Sequence, residues 1–189
     1  MSTVLDSPVP EIVKVEPFID ENRYEIIDGE IVETPPMSAD SAAFAFDLAW
    51  HLRAHGVANN LGKAYTEILI QLPLPVERNR RPDVIFVPYE HWPQDRRIPD
   101  TNAWDVLPSL CVEVVSPNDL AEEIMDKLHE YFTSGVKQVW IAYPRHGLLF
   151  VHESPAAVRV LSRNDVLEGG AALPGFRLPL SELFPKSDT

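Results

Sequence analysis

The stretch PSLCVEVVSP, residues 108–117, decides how this chain is read. Leu110, Cys111, Val112, Val114 and Val115 make a continuous apolar run, the pattern of a strand covered on both faces. Glu113 interrupts it. An ionised carboxylate in an apolar layer is costly unless it is paired, hydrogen-bonded or bound to a metal. The rest of the chain has to supply that partner.

Immediately downstream, SPNDLAEEIMDKLHEYFTSGV has the signature of a helix. Residues 116–119 offer caps, and Asp119 with Glu122 fits a capping box. Gly135 suits the C-terminal stop. At about 100° per residue, Leu120, Ile124, Leu128, Tyr131 and Phe132 form one apolar sector. Lys127 falls at its edge, where packing prefers an apolar side chain. Upstream, RPDVIFVP opens another strand, with Asp83 at its entrance.

Further out, RYEIIDGEIVET gives two alternating runs around Asp28-Gly29, a strong hairpin signal because a type I′ turn needs positive φ at both positions. SADSAAFAFDLAWHLRAHG predicts a helix over about 39–55, with Gly56 as its stop. His51 and His55 are four apart and could grip a metal from one face, but no third ligand accompanies them, and ordinary helix-surface histidines are the plainer reading. KAYTEILIQLP reads as a strand, followed by a Pro/Arg-rich loop. KQVWIAYP, GLLFVHE and AVRVLS read as strands, the last two a hairpin across SPA, and FRLPLSELFP offers a short closing helix. Residues 1–20 read as a loosely docked arm, 21–185 as one domain and 186–189 as a tail. A hairpin, a helix, strands, a second helix and more strands fit a mixed α/β sheet flanked by helices.

Composition narrows the function. The 189 residues are 45% hydrophobic, enough for a core, and no apolar run approaches a membrane span. The first residues lack the basic-then-apolar pattern of a secretory signal, so the cytoplasm is the expected compartment. One cysteine, Cys111, excludes disulfides within the chain and cysteine-rich zinc sites. The net charge of −13 argues against a protein that coats nucleic acid non-specifically, though not against an enzyme that meets DNA through a local patch. Arg78, Arg80, Arg81, Arg96 and Arg97 are such a concentration, to be read as a solvated loop or as a phosphate-facing rim. The 18 prolines mostly punctuate loops.

Asp83, Glu113 and Lys127 are the three residues that packing does not explain. Each alone has a bland reading: a turn hydrogen bond, a strand-edge carboxylate with its head in water, a snorkelling lysine. If the two strands are neighbours, the carboxylates converge within reach of one Mg²⁺, with Mn²⁺ as a substitute. Such an ion neutralises Glu113, and Lys127 orients water or offsets charge during phosphodiester hydrolysis.

RYEIIDGEIVE, RPDVIFV, CVEVVSPND and DKLHEYFTSGVKQVWIAYP together resemble the Uma-type family of restriction endonuclease-like proteins, within the PD-(D/E)xK nuclease superfamily. The resemblance implies a restriction-endonuclease-like core, a mixed four- or five-stranded sheet between helices. It implies a Mg²⁺-dependent endonuclease acting on DNA. Pro82-Asp83 matches the Pro-Asp element and Glu113 the acidic residue of the (D/E)xK element. Val115 stands where lysine is expected, and Lys127 is the matching lysine, moved to the helix. Glu33 is the candidate for the first acidic element, with Asp40 behind it. The histidine that members carry near the first helix has no counterpart in MSADSAA. The alternative is a catalytically inactive binding module that keeps the fold. A glycosidase using Asp83 and Glu113 as paired carboxylates leaves Lys127 and the arginines unexplained. A double-strand cut needs two sites, which points to a homodimer through the hairpin or the loop carrying Trp92 and Trp104, unless these tryptophans simply pack beneath that loop.

Overall fold

The computed structural model describes residues 23–117 and 119–184. The expected arm over 1–20 and the tail over 186–189 lie outside the described residues, as does Asn118 among the cap candidates.

The strands are β1 (Tyr24–Ile27), β2 (Glu30–Glu33), β3 (Gly62–Thr66), β4 (Ile70–Gln71), β5 (Arg78–Arg80), β6 (Val84–Pro88), β7 (Leu110–Val114), β8 (Gln138–Tyr143), β9 (Leu148–Ser154), β10 (Ala157–Ser162), β11 (Val166–Glu168) and β12 (Arg177–Pro179). The helices are α1 (Ala39–Ala58) and α2 (Ala121–Ser134), with 3₁₀ turns at Pro144–His146 and Leu180–Glu182. A six-stranded sheet runs β10-β9-β8-β7-β6-β3, one strand more than the largest expectation. Only β7 and β8 are parallel in it, joined by the α2 crossover. A four-stranded sheet, β2-β1-β5-β4, stands beside it, and β11 pairs with β12.

The period-two alternation of buried strands divides the core. Val84, Phe86, Leu110, Val112, Val114 and Trp140 face Phe44, Leu48 and Leu52 of α1. Ile85, Val87, Cys111, Val139 and Ile141 face Ile124, Leu128 and Tyr131 of α2. Glu113 shares the parity of Cys111, so its side chain is aimed at α2.

The hairpin forms as read, with Asp28 and Gly29 both at positive φ. Gly135 ends α2 in the left-handed conformation, φ 99°. Several expectations are corrected. Gly56 does not stop α1, which runs to Ala58. A Cβ there would meet the Phe86 ring at 2.5 Å and the Gly62 carbonyl at 2.7 Å, so glycine serves close approach rather than termination. KAYTEILIQLP is not one strand. Glu67, at φ 58°, breaks it, and β3 and β4 join different sheets. The capping box does not form. Leu120 is the N-cap, and Asp119 closes a turn by accepting from the Ser116 amide at 2.7 Å. Leu120 leaves the apolar sector and is exposed. The Pro/Arg-rich loop contains β5, and the closing segment is β12 followed by a single 3₁₀ turn. Trp104 is buried and Trp92 packs edge-on to it at 5.1 Å, so these tryptophans pack beneath their loop rather than offer a dimer face.

Candidate active site

β6 and β7 are antiparallel, with Val84 opposite Val112. Continuing that register sets Asp83 opposite Glu113, with both side chains on the α2 face. The Val114 amide donates to Asp83 Oδ2 at 2.6 Å, which fixes the Asp83 carboxylate against β7. Both carboxylates are buried.

α2 supplies the partners that Glu113 required. Tyr131 and Lys127 are one helical turn apart, on the face that covers β7. Tyr131 Oη donates to Glu113 Oε1 at 2.6 Å, and Lys127 Nζ donates to Oε2 at 3.1 Å. Lys127 Nζ also lies 3.2 Å from Glu25 Oε1.

Glu25 is the residue that the sequence did not disclose. It sits on β1, and the β1–β5 register continues to place it opposite Arg80. Arg80 Nη1 donates to Glu25 Oε2 at 2.7 Å, and the Arg81 amide donates to Oε1 at 3.0 Å. Arg80 Nε in turn donates to Glu130 Oε2 at 2.6 Å. Alternation in a four-residue strand marks Glu25 as a polar position and nothing more. Its burial depends on β5, which the sequence concealed among prolines and arginines.

The electrostatics follow from burial and pairing. Burial raises the pKa of Asp83 well above the usual carboxylate range, and the Glu113 charge adds to this. Burial also raises that of Glu113, against the pull of Lys127. Burial acts against the Lys127 charge too, but Glu113 and Glu25 more than offset it and hold the amine protonated. Burial likewise opposes ionisation of Glu25, yet the Lys127 and Arg80 charges keep its pKa below the ordinary value.

These residues line a cleft of about 450 Å³ between the two sheets and α2. Glu33 ends β2 on the rim of this cleft, exposed, apart from the buried cluster. Asp40 lies in the first turn of α1 and is not part of the lining. Asp83, Glu113 and Lys127 are brought together. Among the described residues, no group of three or more His, Cys, Asp or Glu side chains gathers at metal-holding distance. His55 Nε2 pairs with the Pro174 carbonyl at 3.0 Å, and His51 lies 3.9 Å from Glu182.

The early arginines are neither a free phosphate rim nor a solvated loop. Arg78 bridges Asp28 and Glu130, and Arg80 bridges Glu25 and Glu130. Among the described residues, no helix is long and apolar enough to cross a membrane.

A comparison with curated proteins found no match. Among solved structures, the chain is similar to one titled a "putative nuclease belonging to DUF820" from Anabaena variabilis. The TM-score is 0.74 and the identity 16%, over 87% of this chain and 90% of that one. The fold is therefore that of a nuclease-like α/β protein. The sequence model of the Uma2 family, described as "Putative restriction endonuclease", matches residues 9–181. With most of its length matched, the chain belongs to the Uma2 family.

Proposed function

We propose that the protein is a metal-dependent endonuclease that hydrolyses phosphodiester bonds in DNA. The observation that carries this reading is Asp83 set across the ladder from Glu113, with Lys127 Nζ 3.1 Å from Glu113 Oε2 at the floor of a cleft.

The donor set fits a small hard cation. Asp83 and Glu113 offer carboxylate oxygens only, and Mg²⁺ typically takes one or two protein carboxylates and keeps its remaining positions for water and phosphate. Burial raises the pKa of both acids despite Lys127, and a divalent ion held between them would favour their ionised forms. Mg²⁺, or Mn²⁺ in its place, would supply Lewis-acid polarisation of a phosphoryl oxygen.

The chain's own residues divide the remaining tasks. The Val114 amide and Tyr131 Oη hold the two carboxylates in fixed orientation. Lys127 keeps its proton and presents positive charge where negative charge grows on the phosphoryl oxygens. Glu25 gives Lys127 a second carboxylate partner beside Glu113. Water attacks phosphorus and releases a proton to solvent as the new P–O bond forms, the bond to the leaving sugar oxygen breaks, and that oxygen takes a proton from solvent. Glu33, on the rim, stays a candidate for completing the site. A homodimer would bring two such sites to one duplex, with exposed Ile31 of the hairpin as the apolar contact. The cytoplasm is the compartment in which such an enzyme would meet its substrate.

The test is nicking of supercoiled plasmid in Mg²⁺. The wild type should nick, and Glu113→Gln, purified free of host nuclease, should not. Equal nicking by both would overturn the assignment. One observation favours a second reading, an inactive module: Glu25, Lys127, Glu113 and Tyr131 satisfy one another without any added ion. Calorimetric titration with Mg²⁺ or Mn²⁺ separates the two, because only the enzyme requires a saturable site that Glu113→Gln removes.

A further inference from the structure

The cleft binds poorly by charge alone. Its cations are committed: Arg23 to Glu67, Arg78 to Asp28 and Glu130, Arg80 to Glu25 and Glu130, Lys127 to Glu25 and Glu113. The chain as a whole carries −13. A polyanion therefore needs cations elsewhere that are not already neutralised.

Among the described residues, Arg53, Lys63, Arg96 and Arg97 take part in no ion pair, and they lie along one border of the molecule. That border is β3, the last strand of the six-stranded sheet. Aromatic rings tie the cations to it. Arg53 lies over the Tyr65 ring at 5.5 Å, and Lys63 over Tyr89 at 5.8 Å. Tyr65 meets Trp104 edge-on at 5.4 Å, Trp104 meets Trp92 at 5.1 Å, and Arg96 covers Trp92 at 3.8 Å. Arg97 is the next residue and is exposed. Ring faces place each charge without cancelling it, as a carboxylate would. Arg145 and Arg163 also lack an ion pair but sit apart from this row, on the 3₁₀ turn after β8 and beside the Phe184 carbonyl.

The row also leads to the reaction centre. Tyr65 pairs with Ile85, two residues from Asp83, and Lys63 pairs with Val87, two further on. At the rise of an antiparallel strand these offsets are about 7 and 14 Å along the sheet. That is a few phosphate spacings of a DNA strand.

We propose that the β3 border, from Lys63 through Arg53 to Arg96 and Arg97, is the surface that holds the phosphate backbone of DNA beside the cleft. It rests on the nuclease reading and adds the docking face that the cleft lacks. The contacts are to phosphate, so they position the duplex without reading its sequence.

The experiment measures binding of a fluorescent duplex oligonucleotide to the full chain, without divalent metal, across 50–200 mM salt. The probe is the duplex alone, and Lys63→Ala/Arg96→Ala/Arg97→Ala is compared with wild type. Each lost phosphate contact should make the log–log salt slope shallower by about 0.9 and weaken binding several-fold at the lower salt. Arg177→Ala, which removes a cation already paired with Glu168, should leave both unchanged. An unchanged slope in the triple variant overturns the proposal, as does an equal loss in Arg177→Ala. Should the triple variant not fold, Arg97→Glu alone serves, because Arg97 has no side-chain partner among the described residues and its loss of packing is negligible. Plasmid nicking separates the two readings. If nicking depends on Glu113 while the salt slope ignores the border, the border assignment fails alone. If the slope responds but nicking ignores Glu113, the catalytic reading fails alone.

Discussion

Lys127 Nζ lies 3.1 Å from Glu113 Oε2, although fourteen residues separate them in the chain. The crossover from β7 through α2 to β8 closes that gap, because α2 lies back over the strand that carries Glu113. Lys127 is therefore the internal counter-ion of a buried acid as well as the charge we propose it offers to substrate. Lys127→Met should remove both roles. It leaves Glu25 and Glu113 buried without their shared cation, and breaking a buried pair in this way costs about 3 kcal/mol or more. Urea unfolding should show that loss at neutral pH, together with the disappearance of nicking. Full stability in the variant would mean that water replaces the ammonium.

Glu25→Gln tests the residue that anchors Lys127 from β1. Gln keeps an acceptor but loses the charge, so Arg80 retains Glu130 alone and Lys127 retains Glu113 alone. Stability should fall by about 1–3 kcal/mol. A purely structural role would end there. A positioning role predicts more: with one carboxylate fewer beside it, Lys127 is held less firmly, and kcat for nicking falls by more than the lost stability explains, with KM little changed. Steady-state nicking by the folded variant against wild type reads this directly.

How much of this was legible in the sequence differs from residue to residue. Asp83, Glu113 and Lys127 stand out because each breaks the apolar pattern of the element that carries it, and burial of a charge is conspicuous in one dimension. Their convergence needed only neighbouring strands and a helix packed back over them. Glu25 gives no such signal, since a polar residue in a short hairpin strand fits exposure equally well. Its burial comes from β5, three residues of RNR whose side chains look like a solvated loop until Glu130 and Glu25 are placed against them. The break at Glu67 was hidden for a related reason. Nothing in TEILIQ demands a positive φ, and the bend is imposed by tertiary contacts, including the Arg81 guanidinium on the Glu67 carbonyl at 2.6 Å.

Gly56→Ala separates helix propensity from packing. In an exposed helix interior this change gains about 1 kcal/mol. Here the new methyl group meets the Phe86 ring and the Gly62 carbonyl, both held inside the core. The clash should win, for a net loss of about 1–2 kcal/mol. Thermal unfolding checks the sign, and a stabilised variant would show that α1 can shift away from β3.

Asp83→Asn is expected to stabilise the metal-free protein while abolishing nicking. Burial and the Glu113 charge raise the folded-state pKa of Asp83 well above its unfolded value. Below the usual carboxylate range Asp83 is protonated in both states, and no penalty arises. As pH rises past the unfolded pKa, the unfolded chain releases its proton first and binds fewer protons than the native state. Stability therefore falls with rising pH, until the folded group also ionises. Asn carries no such penalty, and its side-chain carbonyl can still accept from the Val114 amide. The variant should melt at least about 2 °C above wild type at neutral pH, with the advantage shrinking toward pH 4. Mg²⁺ should narrow the gap by raising only the wild type, because the cation relieves a charge that the variant lacks. A variant less stable than wild type at every pH would mean that the bond from Val114 to an ionised Asp83 outweighs the repulsion by Glu113, and would leave that repulsion without a role in the site.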